Sequence, residues 1–197
     1  KTGIDLPGES CGIMFDYKNF HELEQATVAF GQGISVTPLQ LVTAICACVN
    51  GGYLLQPQIL KEISNSSNNE IVKEVKKKVK RQVIDEETSR KVRDALESVV
   101  TDGGGRNAYI DGYRIGGKTG TAQKAVNGSY VGGGYILSFV GIAPIDDPQI
   151  VLYIAMDNPK NCIQYGGTTV APIARKMLLD ILPALNVKKV KSQRQKA

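Results

Sequence analysis

The 197-residue chain has a single histidine, His21, and four cysteines, Cys11, Cys46, Cys48 and Cys162, with no C-x-x-C pair among them. Structural zinc needs Cys and His clustered at short spacings, so neither a zinc site nor any other metal is expected. Cys46 and Cys48 lie two apart in an apolar, helix-like run and face different sides, and buried free thiols are the expected state. No apolar run approaches the roughly 20 residues of a membrane helix, and no signal-peptide pattern is present. The chain opens at Lys1-Thr2-Gly3 without an initiator Met, which reads as a fragment.

Acidic charge is missing from one end. The formal charge is 24 − 19 = +5, yet Val187 to Ala197 holds Lys188, Lys189, Lys191, Arg194 and Lys196 and no acid. Without that segment the balance is 19 − 19 = 0, so the body is neutral and residues 186–197 form a basic tail or linker. No aromatic is interleaved there for base stacking, so no nucleic-acid partner is expected. What the chain does have is 42% hydrophobic residues, enough for a globular core, and 21 glycines for tight turns.

Phe20 to Ala29 reads as a short helix. Thr37-Pro38-Leu39-Gln40 is a helix start, with Thr37 as cap, Pro38 in the first turn and Gln40 to complete a capping box. That helix runs to Gly51-Gly52 and is apolar nearly all round, which predicts burial. Gln58 to Ile63 and Glu70 to Val75 read as short strands, and the basic run Lys73 to Arg81 as an exposed strand or loop. Asp85 caps a helix whose stripe is Val92, Leu96, Val99 and Val100. Three strand-like runs follow, Tyr113 to Gln123, Tyr135 to Ala143 and Ile150 to Met156, then a helix over Val170 to Leu182. The class is α+β: an antiparallel sheet, arranged as a meander, flanked by helices.

One stretch fits two chemistries. Gly112 to Thr119 (G-Y-R-I-G-G-K-T) matches the letters of a phosphate-binding loop. That mechanism needs a helix starting at the lysine, so that free N–H groups point at the phosphates. Gly120 follows directly, and Asn127-Gly128 and Gly132-Gly133-Gly134 come soon after, so a helix there is disfavoured. On a strand, Tyr113, Ile115, Gly117 and Thr119 alternate with Arg114, Gly116, Lys118 and Gly120. Lys118 and Thr119 would then face opposite ways unless a bulge or twist re-aims them. A glycine-rich edge also lets a peptide approach as an added strand.

Gly117-Lys118-Thr119-Gly120-Thr121-Ala122-Gln123 resembles the Lys-Thr-Gly motif of penicillin-interacting enzymes. Together with Thr2-Gly3-Ile4-Asp5-Leu6-Pro7-Gly8-Glu9 and Phe30-Gly31-Gln32-Gly33-Ile34-Ser35-Val36-Thr37-Pro38, in that family's order, it resembles the class B penicillin-binding proteins. These are cell-wall DD-transpeptidases, and the likeness is closest to division and sporulation types. The resemblance implies a partial penicillin-binding/serine β-lactamase-like fold, with residues 1–185 as the C-terminal part of the transpeptidase domain. It implies no cofactor and a place at the extracytoplasmic face of the bacterial membrane. The partners it implies are the D-Ala-D-Ala end of a peptidoglycan stem peptide, β-lactams, the rest of the same domain, and division or sporulation proteins.

In that family a serine in S-x-x-K attacks the penultimate D-Ala carbonyl, the terminal D-Ala leaves, and a neighbouring amine takes the acyl group. By position, Lys118 would hold charge near the nucleophile and assist proton transfer. Thr119 and Thr121 would bind the substrate carboxylate through their hydroxyls, and the Thr121 N–H would serve as an oxyanion donor. Gly120 and Gln123 would line the same strand beside the substrate. The departure is that no serine here begins S-x-x-K. Ser66-Ser67-Asn68 and Ser67-Asn68-Asn69 fit the letters of the second motif, S-x-N, but follow the Thr2 to Glu9 segment where the family places that motif before it. The chain alone is therefore expected not to form an acyl-enzyme. A nucleotide-binding module at Gly112 to Thr119, or a polyanion-binding domain acting through the tail, remains the alternative.

Overall fold

The computed structural model describes residues 1–16, 18, 20–29, 31–124 and 134–190. Phe30, the Asn127-Gly128 and Gly132-Gly133 turns, and residues 191–197 of the basic tail lie outside the described residues. The chain divides into two compact units, Lys1–Glu86 and Glu87–Ala197.

The first unit holds α1 (Glu22–Ala29), α2 (Pro38–Val49), β1 (Tyr53–Leu55), β2 (Glu62–Ser64), β3 (Ile71–Glu74) and β4 (Val79–Gln82). The capping box is present: the Gln40 N–H donates to Thr37 Oγ1 at 3.1 Å, and the Thr37 N–H donates to Gln40 Oε1 at 2.8 Å. The expected full burial of α2 is not found. Only Ala47 and Val49 are buried, and the other apolar positions are half-buried or exposed. Its all-round apolar sequence exceeds the surface this unit has to cover it. The thiols differ from expectation too: Cys11 is exposed and Cys46 and Cys48 half-buried, with burial pushing both helix thiols up from their ordinary pKa.

The strand expected at Gln58 to Ile63 begins only at Glu62, because the Ile59 and Leu60 N–H groups donate to Asp5 instead of to a ladder, at 2.9 and 3.1 Å. β2 pairs with β3, and β1 pairs with β4, inside the basic run. The Thr2 to Glu9 segment is folded on its own acids. Glu9 accepts from the Thr2 hydroxyl, the Thr2 N–H and the Gly3 N–H, which leaves Thr2 7% exposed.

The second unit carries α3 (Glu86–Thr101, its first residue belonging to the preceding unit), a 3-10 turn (Arg106–Ala108), β5 (Gly116–Gln123), β6 (Tyr135–Ala143), β7 (Ile150–Asp157), α4 (Gly166–Thr169) and α5 (Ala171–Ala184). The three strands form an antiparallel sheet in the order β5-β6-β7, the meander read from the sequence. β5 starts at Gly116 rather than Tyr113, because Tyr113 and Ile115 turn into the core. Side chains alternate across the sheet. Leu137, Phe139 and Ala143 are buried on one face, in a core shared with Ala171, Ala174, Leu178 and Leu182 of α5. That spacing of three, four and four is one stripe of a helix. Val140 and Ile142 are buried on the other face, where the Gly116 backbone closes on Leu96 of α3. The tail is not wholly free: the Val190 N–H donates to Gly112 O at 2.8 Å, and the Lys189 ammonium lies 5.7 Å from the Tyr113 ring centre.

Candidate active-site strand

β5 is an edge strand, and its register against β6 is unbroken from Gly116↔Ile142 to Gln123↔Tyr135. No bulge therefore re-aims Lys118. No helix follows Lys118, which removes the geometry a phosphate loop requires.

The ladder decides which backbone groups are free. The Lys124 N–H donates to Gly134 O at 2.8 Å, one step beyond the Gln123↔Tyr135 pair. In an antiparallel ladder every second residue bonds its neighbour strand. Counting back from Lys124, Ala122, Gly120 and Lys118 bond inward. The N–H and C=O groups of Thr119, Thr121 and Gln123 point out along the open edge. The Thr121 N–H is thus placed as an edge donor.

The side chains split as the period of two requires. Lys118 sits on the face of Gly116, Val140 and Ile142, and Thr119 and Thr121 on the opposite face, beside Gly166 and Gly167 of α4. Lys118 is exposed, and its ammonium turns back around the edge to donate to Thr119 O at 2.8 Å. That outward carbonyl brings the charge to the rim on which the threonines lie, so lysine and threonines meet at the edge without a bulge. Gln123 is exposed, its Nε2 3.5 Å from the Tyr135 hydroxyl.

α4, G-G-T-T in sequence, has no helical signal of its own, since glycine is the poorest ordinary helix former. It forms because it packs where only glycine fits. A Cβ on Gly166 would lie 2.5 Å from both Gly120 O and Ser138 O, and one on Gly167 would collide with Gly104 O. The Gly166 N–H donates to Thr121 Oγ1 at 3.3 Å, and Asn107 Nδ2 donates to Gly167 O at 2.9 Å. Sequence reasoning missed Gly166, Gly167 and Asn107. The Gly-Gly pair before the last helix was the available signal. Among the described residues no group of three or more His, Cys, Asp or Glu is placed to hold a metal ion, and no helix is long and apolar enough to cross a membrane.

A family model described as "Penicillin binding protein transpeptidase domain" matches residues 1–179. The chain is 54% identical over 196 residues to "Stage V sporulation protein D" of Bacillus subtilis, covering 100% of this chain and 30% of that protein. It is 33% identical over 187 residues to "Probable peptidoglycan D,D-transpeptidase PenA" of Neisseria meningitidis, covering 94% of this chain and 30% of the relative. Among solved structures, the apo transpeptidase domain of Burkholderia pseudomallei penicillin-binding protein 3 matches with a TM-score of 0.81 at 36% identity, over 95% of this chain and 54% of that one. The Mycobacterium tuberculosis penicillin-binding protein 3 complexed with aztreonam matches with a TM-score of 0.84 at 30% identity, over 98% of this chain and 45% of that one. The chain thus spans about 30% of the length of the curated relatives it matches.

Proposed function

The chain belongs to the penicillin-binding protein transpeptidase-domain family, and from that premise we propose that it supplies the substrate-carboxylate and oxyanion strand of a peptidoglycan DD-transpeptidase. Its substrate is the D-Ala-D-Ala end of a stem peptide, and β-lactams occupy the same strand as mimics. The protein works at the extracytoplasmic face of the membrane, beside division or sporulation proteins. The sporulation role has the stronger support, from the 54% identity to a sporulation protein.

The observation that carries this reading is the open edge of β5. Thr119 and Thr121 turn backbone groups outward along it, and the Lys118 ammonium reaches the same rim through Thr119 O. A peptide lying along that edge would meet the Thr121 N–H as an oxyanion donor. Its terminal carboxylate would be received by the Thr119 and Thr121 hydroxyls. Lys118 assists proton transfer to and from the serine nucleophile, with Gly120 and Gln123 lining the strand beside the peptide. The charge on Lys118 is compatible with a chain of events in which the serine loses its proton on attack and the leaving amine gains one.

The nucleophile does not come from these 197 residues, because none of their serines begins S-x-x-K. The isolated chain is therefore inactive and works with the rest of its transpeptidase domain. The test is the intact mass of every polypeptide in the purified protein after incubation with benzylpenicillin. The expected result is an adduct on a polypeptide containing S-x-x-K and none on the isolated 197-residue chain. An adduct on the isolated chain overturns the division of labour, and no adduct anywhere overturns the activity.

A further inference from the structure

We propose that Gly166 and Gly167 are positioning residues that set the polarity and direction of the two carboxylate-binding threonines, with Asn107 holding the pair from behind; this rests on the transpeptidase reading above.

A threonine hydroxyl has one proton to donate and two lone pairs to accept with. A carboxylate can only accept. Thr121 therefore serves a substrate carboxylate only if its O–H stays free and points outward. A backbone N–H can only donate, so the Gly166 amide, 3.3 Å from Thr121 Oγ1, occupies a lone pair and leaves the proton for the ligand. The same contact fixes the rotamer, because the oxygen must face α4 to receive it.

Thr119 is set by shape. A Cβ on Gly167 would lie 3.2 Å from Thr119 Cγ2, so the methyl group faces α4 and its contact there restricts the rotamer. Both settings depend on α4 lying directly on the backbone of β5. Gly166 approaches Gly120 O and Ser138 O, and Gly167 approaches Gly104 O. These are backbone atoms that cannot rotate aside, so a single methyl at either position pushes α4 off the strand. On the far side, Asn107 Nδ2 donates to Gly167 O at 2.9 Å and ties the glycine pair to the 3-10 turn.

The experiment compares acylation of the intact protein, S-x-x-K segment included, by benzylpenicillin and by its methyl ester. The readout is the ratio of the two second-order rate constants, in wild type, Thr121→Val, Gly166→Ala, Asn107→Ala and the double variant Thr121→Val/Gly166→Ala. The ratio isolates recognition of the free carboxylate, which a general loss of structure does not change. It is expected to fall about tenfold or more in Thr121→Val and Gly166→Ala, the scale of one lost hydrogen bond to a charged group, and severalfold in Asn107→Ala. The double variant should fall no further than Thr121→Val, because Gly166 acts through that hydroxyl. A folded Gly166→Ala that keeps the wild-type ratio, or slows both compounds equally, overturns the proposal. Should Gly166→Ala not fold, Asn107→Ala adds no atom and decides alone: an unchanged ratio overturns the positioning role. A wild type that reacts with neither compound sinks the transpeptidase reading itself, and this proposal with it.

Discussion

Arg114 and Glu97 form a two-armed ion pair, with Nε 2.8 Å from Oε1 and Nη2 2.6 Å from Oε2. It joins α3 to the segment that enters β5 two residues later. Its side chains are 29% and 15% exposed, so solvent screens it only in part. Bidentate guanidinium–carboxylate geometry is the strong form of this contact. Removing one partner leaves a partly buried charge without its ion pair and hydrogen bonds. Asp146 stands only at 3.8 Å from the same guanidinium and is itself half exposed, so it compensates little. Glu97→Ala should therefore destabilise the second unit by about 1.5–3 kcal/mol, while the charge-conserving Glu97→Asp, too short to keep both arms, should cost less. Denaturant unfolding of the two variants checks both statements, and equal stability of Glu97→Ala and wild type refutes the first.

Glu9 carries a pH dependence of known sign. The Thr2 hydroxyl, with the Thr2 and Gly3 N–H groups, holds its carboxyl down from 4.5 to about 2. A folded-state pKa below the unfolded one means that the stabilisation is present above about 4.5 and is lost as pH falls toward about 2. Asp5, held down by the Ile59 and Leu60 N–H groups, contributes with the same sign. Glu9→Gln removes the negative charge that these donors stabilise. The variant should be less stable than wild type near neutral pH, and the gap should close as acid protonates Glu9 in the wild type. Melting temperatures measured across that acid range settle it; a gap that stays constant down to about pH 2 contradicts the assignment.

The parts of this fold that sequence reading found are those set by neighbours along the chain. The Thr37–Gln40 capping box needs only residues three apart, and it is there. The β5-β6-β7 meander needs period-two stretches separated by turn residues, and it is there too. The Thr119, Thr121 and Lys118 assignments needed the motif, and the strand that carries them is there, though it begins at Gly116 rather than at the expected Tyr113. What escaped was set by distance. The basic run reads as an exposed strand or loop; the exposed strand β4 within it is selected by pairing with β1, earlier in the chain, which local composition does not show. The late start of β2 is set by Asp5, which captures the Ile59 and Leu60 amides from 54 and 55 residues away. The Gly166 contact with Thr121 spans 45 residues and uses a helix of poor helix formers, so no local rule points to it.

Phe139 sits at the centre of the sheet's packed face, fully buried and opposite Thr119 in the β5–β6 register. Truncation to Ala removes a ring from a core that closes around it, and large aromatic truncations of this kind cost about 3–5 kcal/mol. Phe139→Leu keeps most of the volume and should cost less than half of that. Because the ring also backs the strand carrying Thr119, Phe139→Leu should lower the rate of penicillin acylation in the intact protein more than an equally destabilising change in β2 or β3. Paired stability and acylation measurements test this; a rate that follows stability alone, wherever the change is made, rules out the backing role.

Lys118 separates charge from proton transfer. Its ammonium is held at the rim by Thr119 O rather than by an acid. Lys118→Arg keeps a cation there but cannot give up its proton, whereas Lys118→Met removes both charge and proton. If the lysine only attracts an anionic ligand, Arg should restore nearly the whole acylation rate. If it also moves a proton to or from the nucleophile, both variants should lose acylation by about a hundredfold or more, with Arg recovering the pre-covalent affinity and not the rate. The second outcome is expected from the proposed role of Lys118, whose ammonium lies at the rim beside Thr119 O. Stopped-flow acylation that separates the binding constant from the acylation step reads the difference, and full rescue by Arg at the acylation step would assign Lys118 to charge alone.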